Sequence, residues 1–109
     1  TGRILREGGF PSRTILCPND RMAFGVLAAM YAAGIKVGFE PDCQYRVAGH
    51  DNQRFSAYTC PPLTTVSQDC DEMGRVAVRM LLDNIANEDL AGENRQVLLS
   101  GALVLRKSA

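Results

Sequence analysis

Three polar residues, Asn19, Asp51 and Gln68, each stand just beyond a short apolar run, at residues 14–17, 45–49 and 63–67. A carboxylate only accepts hydrogen bonds, whereas a side-chain amide both donates and accepts. Sugars and nucleosides, with their vicinal hydroxyls, need that mixture. If the three runs are parallel strands, their polar followers share the carboxyl edge, where open α/β sheets bind ligands. An architectural reading competes with this one: Asn19 caps a helix, Asp51 makes a turn and Gln68 is a solvated strand end. Spacing alone leaves both open.

Catalysis draws less support. His50 precedes Asp51, but neighbouring residues on a strand end point to opposite sides, so they are not expected to pair. His50 is read as a packing or ligand-stacking residue beside the same site. No Gly-x-Ser-x-Gly elbow, phosphate loop or metal pair accompanies them. Cys17, Cys43, Cys60 and Cys70 form no Cys-x-x-Cys pair, and the single histidine does not complete a zinc set with them. They read as reduced thiols, with Cys17 a small buried hydrophobe. The expectation is a non-enzyme without cofactor or metal.

The elements that must position these residues follow from the pattern. Residues 14–17 are β-branched and apolar between prolines, as a buried strand would be. The helix that follows carries no charge after Arg21 and ends at Gly34. A helix apolar all round must be covered on more than one side. A sheet covers one side, and a second copy of the chain is the simplest cover for the other. Met22, Phe24, Val26, Leu27, Met30 and Tyr31 are therefore candidates for a homodimer contact. Residues 69–87 predict an amphipathic helix, with Met73, Val76, Ala77, Met80, Leu81 and Ile85 along one stripe. Gly92 falls in the loop beyond it. Strands are expected at 96–99 and 103–105, split by Ser100-Gly101, and Arg6, Arg13 and Arg95 read as solvated charges. Strand and helix in alternation predict an α/β fold with a mostly parallel sheet.

The totals narrow the class. Twelve basic and twelve acidic residues among 109 give zero formal net charge, and no basic stripe offers a nucleic-acid footprint. No apolar run approaches the roughly 20 residues that cross a bilayer. With no signal peptide, the expectation is a cytoplasmic protein without a membrane partner. Thr1-Gly2-Arg3-Ile4-Leu5-Arg6 reads as the tail of a helix cut within the element, so the chain reads as a fragment.

Pro18-Asn19-Asp20-Arg21-Met22-Ala23-Phe24-Gly25, then Val47-Ala48-Gly49-His50-Asp51-Asn52, then Pro61-Pro62-Leu63-Thr64-Thr65-Val66-Ser67-Gln68 occur in that order. Together with Met73-Gly74, Val97-Leu98-Leu99 and Leu103-Val104-Leu105-Arg106, they resemble the lactose/galactose repressor family of bacterial transcription regulators. The resemblance runs from about Thr14 to the end of the chain. It implies the C-terminal part of a two-lobed effector domain shaped like a periplasmic binding protein. Residues 1–68 and 102–109 would form the C-terminal lobe, and 69–101 an excursion into the N-terminal lobe. Crossovers would lie at Gln68, Asp69 and Cys70 and at Ser100 and Gly101. Asn19 and Asp51 would hydrogen-bond a small sugar-like effector, Gln68 would line the cleft, and the helix after Asn19 would contribute to a dimer. Operator DNA would be met only through a helix-turn-helix segment that this chain does not contain. The alternative is a fragment of a periplasmic sugar-binding protein of a transporter, which the Pro-Pro-Leu-Thr-Thr-Val run and the closing Leu-Val-Leu-Arg disfavour. Two departures stand out: residues 38–44 are longer than the usual turn, and His50 replaces the aromatic usual before the aspartate.

Overall fold

A computed structural model describes residues 1–86 and 96–109. In chain order the elements are α1 (Gly2–Arg6), β1 (Thr14–Leu16), α2 (Asp20–Ala32), β2 (Arg46–Ala48), a 3-10 turn (Arg54–Ala57), β3 (Thr65–Ser67), α3 (Cys70–Ala86) and β4 (Ala102–Val104). The chain divides into two compact units, Thr1–Ser67 with Ala102–Ala109, and Gln68–Gly101.

In the first unit β1 and β2 pair in parallel, Thr14 opposite Arg46 and Leu16 opposite Ala48. Parallel bridges join Ala48 to Thr64 and Asp51 to Ser67, so the expected parallel arrangement extends from β2 to β3. β4 then pairs antiparallel with β3, Thr65 opposite Val104.

Helix α2 begins where the Asn19 side chain accepts from Met22 N at 2.9 Å, satisfying one of the otherwise orphaned first-turn donors. It stops at Gly34, whose φ of 69° suits a left-handed C-terminal cap, and Ile35 N closes back on Met30 O at 2.9 Å. Asp20, Ala23, Val26, Leu27 and Met30 are its buried residues, at the spacing of one helical face. That face meets Val47 and Leu63 in the core. Of the six residues named as dimer candidates, Val26, Leu27 and Met30 are buried within the chain itself. Met22 and Tyr31 are exposed and Phe24 is half-buried.

The last residues seal this core. Buried Ser108 accepts from Thr64 N at 2.8 Å and donates to Val47 O at 2.6 Å, bridging β2 to the approach of β3. Arg13 is not merely a solvated charge: its guanidinium donates to Cys43 O at 2.7 Å and Gln44 O at 3.2 Å. It thereby ties the unusually long 38–44 loop to the start of β1. Lys36 and Asp42 pair across the same loop.

The second unit consists of α3 and the segment leading back to β4. Asp69 caps α3, accepting from Glu72 N at 2.9 Å. Met73, Val78, Leu81, Leu82 and Ile85 are 44–69% exposed, and no residue of α3 is buried. The exposed apolar surface is wider than the predicted stripe, because Val78 and Leu82 join it. Residues 96–100 form no strand, contrary to expectation, and all are exposed. An apolar run becomes a strand only when an edge satisfies its backbone groups, and composition does not supply that edge. The loop at Gly92, the surface charge at Arg95 and the predicted last residue of the helix at position 87 lie outside the described residues.

Candidate functional site

The carboxyl ends of β1 and β2 lead directly into the polar residues singled out above. Asp20 N donates to His50 O at 2.8 Å, fastening the segment after β2 to the first turn of α2. Asn19 and the His50-Asp51 pair therefore belong to two segments that meet at one edge of the parallel strands. The Asn19 carbonyl oxygen serves as helix cap, so the architectural reading holds for that atom. Its amide NH2 has no hydrogen-bond partner among the described residues and is available as a donor.

Asp51 leaves the strand with φ of 111°, followed by Asn52 at 49°. Its backbone N–H donates to Val66 O at 2.8 Å. Alternation was expected to separate the side chains of His50 and Asp51, but His50 Nδ1 lies 3.3 Å from Asp51 Oδ1. The left-handed backbone at Asp51 breaks the pleat, and with it the rule that successive side chains oppose. Both side chains are about two-fifths exposed, 41% and 37%, enough to meet a ligand.

Gln68 is half-buried and is the first residue of the second unit. Its backbone carbonyl accepts from Cys70 N at 3.1 Å. The chain passes between units at Ser67–Gln68 and at Gly101–Ala102. Asp69 caps α3 and Cys70 opens it, while Ser100 and Gly101 are exposed and irregular.

Two residues that sequence reasoning passed over prove central. Asp20 entered only as part of the first motif, yet its carboxylate is fully buried. It accepts from Gln53 N at 2.7 Å, Ser56 Oγ at 2.5 Å and Thr65 Oγ1 at 2.6 Å. Arg106 entered only as part of a closing motif. Its guanidinium donates to Leu63 O at 2.7 Å and to Asn52 Oδ1 at 2.8 Å, bracing the residue next to Asp51. A signal for Asp20 was present in Gly49, where a Cβ would lie 3.2 Å from Asp20 Cα and overlap its carboxylate. Glycine is required there because a carboxylate already fills the space.

Among the described residues no cluster of His, Cys, Asp or Glu is arranged to hold a metal ion. All four cysteines are free thiols, and burial pushes that of Cys17 up. No helix among the described residues is long and apolar enough to cross a membrane.

Residues 4–109 match the family described as the periplasmic binding protein-like domain. The chain belongs to that family. This periplasmic binding protein-like domain is 37% identical over 94 residues to the HTH-type transcriptional repressor PurR of Mannheimia succiniciproducens. The match takes in 86% of the domain's chain but 26% of that repressor. Among solved structures it is similar to the lac repressor dimer bound to operator and the anti-inducer ONPF, with a TM-score of 0.79 and 36% identity. That match covers 98% of this chain and 35% of the other. It is also similar to a LacI family transcriptional regulator from an Arthrobacter species in complex with lactose, at TM-score 0.74 and 34% identity, covering 98% and 38% of the two chains. The domain thus spans about a quarter to two-fifths of the length of these relatives, 26% to 38%. The α/β fold and the resemblance drawn from the motifs agree with this family.

Proposed function

We propose that this domain is the effector-sensing region of a bacterial transcription regulator and binds a small hydroxylated metabolite, a sugar or a related compound. The observation that carries the reading is the joint edge of β1 and β2, where Asn19 offers an amide donor and Asp51 a half-exposed carboxylate. His50, in contact with Asp51, packs beside the guest and acts as no catalyst. The names of the relatives support the regulatory role: a transcriptional repressor, and structures of repressors with operator or lactose.

In this reading the unit Thr1–Ser67 with Ala102–Ala109 is the C-terminal lobe, and Gln68–Gly101 is an excursion into the other lobe. The exposed apolar face of α3 supports it, since a further part of the protein must cover that face. Gln68 supplies the third polar group, and Gln68, Asp69, Cys70, Ser100 and Gly101 are the crossovers about which the lobes rearrange. The effector favours one lobe arrangement, and linkage converts that preference into altered operator affinity through a DNA-binding segment outside this chain. Two copies meet through the exposed face of α2, at Met22, Phe24 and Tyr31. An apolar groove of about 370 Å³ beside it, lined by Phe24, Leu27, Ala28, Tyr31, Thr59 and Cys60, supports that contact. A regulator of this kind works in the cytoplasm.

The test is a thermal-shift screen of the intact protein against sugars, sugar acids and nucleosides, followed by titration of whichever compound stabilises it. Asp51→Ala is expected to weaken binding by roughly tenfold to a hundredfold, as loss of a charged hydrogen-bond acceptor does. Unchanged affinity in that variant would remove Asp51 from the site.

A further inference from the structure

Asp51 and Asn52 are consecutive non-glycine residues with φ of 111° and 49°. Asparagine tolerates the left-handed region, but an aspartate at 111° is strained. Such a conformation persists only where its surroundings overdetermine it. Three successive backbone donors do so. Asp51 N reaches Val66 O at 2.8 Å, Asn52 N reaches Thr65 Oγ1 at 3.3 Å, and Gln53 N reaches Asp20 Oδ2 at 2.7 Å. The last two bonds end on one buried pair, because Thr65 Oγ1 itself donates to Asp20 Oδ1 at 2.6 Å. Asp20 and Thr65 are both fully buried.

We propose that the Asp20–Thr65 pair is the positioning element of the binding site: it fixes the backbone of residues 51–53 and so aims the Asp51 carboxylate, without touching the ligand. The proposal rests on the reading of Asp51 as a ligand-binding residue. A threonine hydroxyl has a single proton, and here the carboxylate takes it. The hydroxyl lone pairs are then left to accept the Asn52 N–H. Asp20 thus dictates which way the rotor points, and the absence of competing water makes both bonds count for more. Because Asp20 directly follows Asn19 in the chain, one carboxylate ties together the two segments that carry the candidate ligand groups.

The experiment is residue-resolved hydrogen–deuterium exchange on the intact protein and its Thr65→Val, Thr65→Ser and Asp20→Asn variants. Valine keeps the shape of threonine and removes the hydroxyl, while serine keeps the hydroxyl. In Thr65→Val the Asn52 and Gln53 amides are expected to exchange roughly tenfold faster, as loss of one buried hydrogen bond implies. The Arg46 and Val47 amides, bonded to Arg13 O and Ser108 O, should keep their rates. Thr65→Ser should stay within about twofold of the parent at all four amides. Asp20→Asn, which turns an NH2 toward groups that are themselves donors, should reproduce the valine result; if it does not fold, the Thr65 pair of variants carries the test. Unchanged exchange in Thr65→Val, equal acceleration at Arg46 and Val47, or a serine variant that behaves like valine would overturn the proposal. The readout needs no ligand. Failure of Asp51→Ala to weaken binding strikes the functional reading, whereas failure here strikes the positioning role.

Discussion

Gly49→Ala is the sharpest single perturbation this fold offers. Gly49 sits where β2 ends, against the first residue of α2. An added Cβ would lie 3.0 Å from Leu63 Cδ2 and 3.2 Å from Asp20 Cα, and would overlap the Asp20 carboxylate. The leucine methyl can yield, but the Asp20 Cα is backbone and moves only with α2. Two responses are open to the protein. Shifting the helix start costs what overpacking a core usually does, about 1–3 kcal/mol. Swinging the carboxylate aside strands buried donors on Gln53, Ser56 and Thr65, at roughly 1–3 kcal/mol each. The protein takes the cheaper route, so the net loss is expected near 2–3 kcal/mol, a large share of a typical domain's stability. Urea unfolding of the intact protein, followed by the transition that contains this unit, measures it. Asp20→Ala should also destabilise, since three donors lose their acceptor. The double variant should then cost about 0.5–3 kcal/mol less than the sum, because the group that the new methyl strikes has gone. A loss below about 0.5 kcal/mol for Gly49→Ala, the range of an inert surface change, would refute the steric argument. Full additivity with Asp20→Ala would refute the assignment of the clash to the carboxylate.

Other consequences can be checked on the same protein. Asn19→Ala removes the cap on Met22 N and should cost about 1 kcal/mol of stability by urea unfolding, whereas Asn19→Asp, which keeps a capping oxygen, should restore most of it. If the Asn19 NH2 also meets the effector, the aspartate variant will be stable yet weaker in binding, which separates the two roles. The exposed Lys36–Asp42 pair makes a pH prediction with a definite sign. The Lys36 ammonium, beside it, holds the Asp42 carboxyl below its ordinary value of 3.8, and the partner carboxylate raises Lys36 above 10.5. The contribution of Asp42 is therefore present above its unfolded value and lost as pH falls through the depressed one. That of Lys36 is present below its unfolded value and lost as pH rises through the raised one. Across neutral pH the difference in stability between the parent and Asp42→Asn should be flat, and it should shrink in acid; a slope near pH 7 would contradict the pairing.

Much of the first unit was legible because its signals are local. The cap at Asn19, the stop at Gly34 and the strands around Ile15, Val47 and Val66 depend on residues within a turn or a pleat of one another. The site was legible only in part. Strand ends pointed to Asn19 and Asp51, but alternation failed at Asp51 because a left-handed backbone intervened. Nothing in the residue types around it announces that conformation, since it is imposed by Val66, Thr65 and Asp20 from other elements. The reading of α2 as apolar all round did not tell the face that its own chain covers, with Val26, Leu27 and Met30, from the outer one. Its outer side includes Gly25, Ala28 and Ala32, all exposed, whose small side chains lose little by meeting water. Arg13 looked like any surface charge because its partners, the carbonyls of Cys43 and Gln44, are about thirty positions away.

By itself, then, the amino-acid order determined the alternation of strand and helix in the first unit, the limits of α2 and the candidate polar residues at the strand ends. Those features rest on backbone preferences and periodicities that act over a few residues. Only the tertiary structure decided which polar groups are spent inside. Asp20 finds its donors 33, 36 and 45 positions away, and Ser108 reaches back 61 to Val47. Bonds across such separations depend on the path of the whole chain, because a polar group enters the interior only where folding has already delivered its partner.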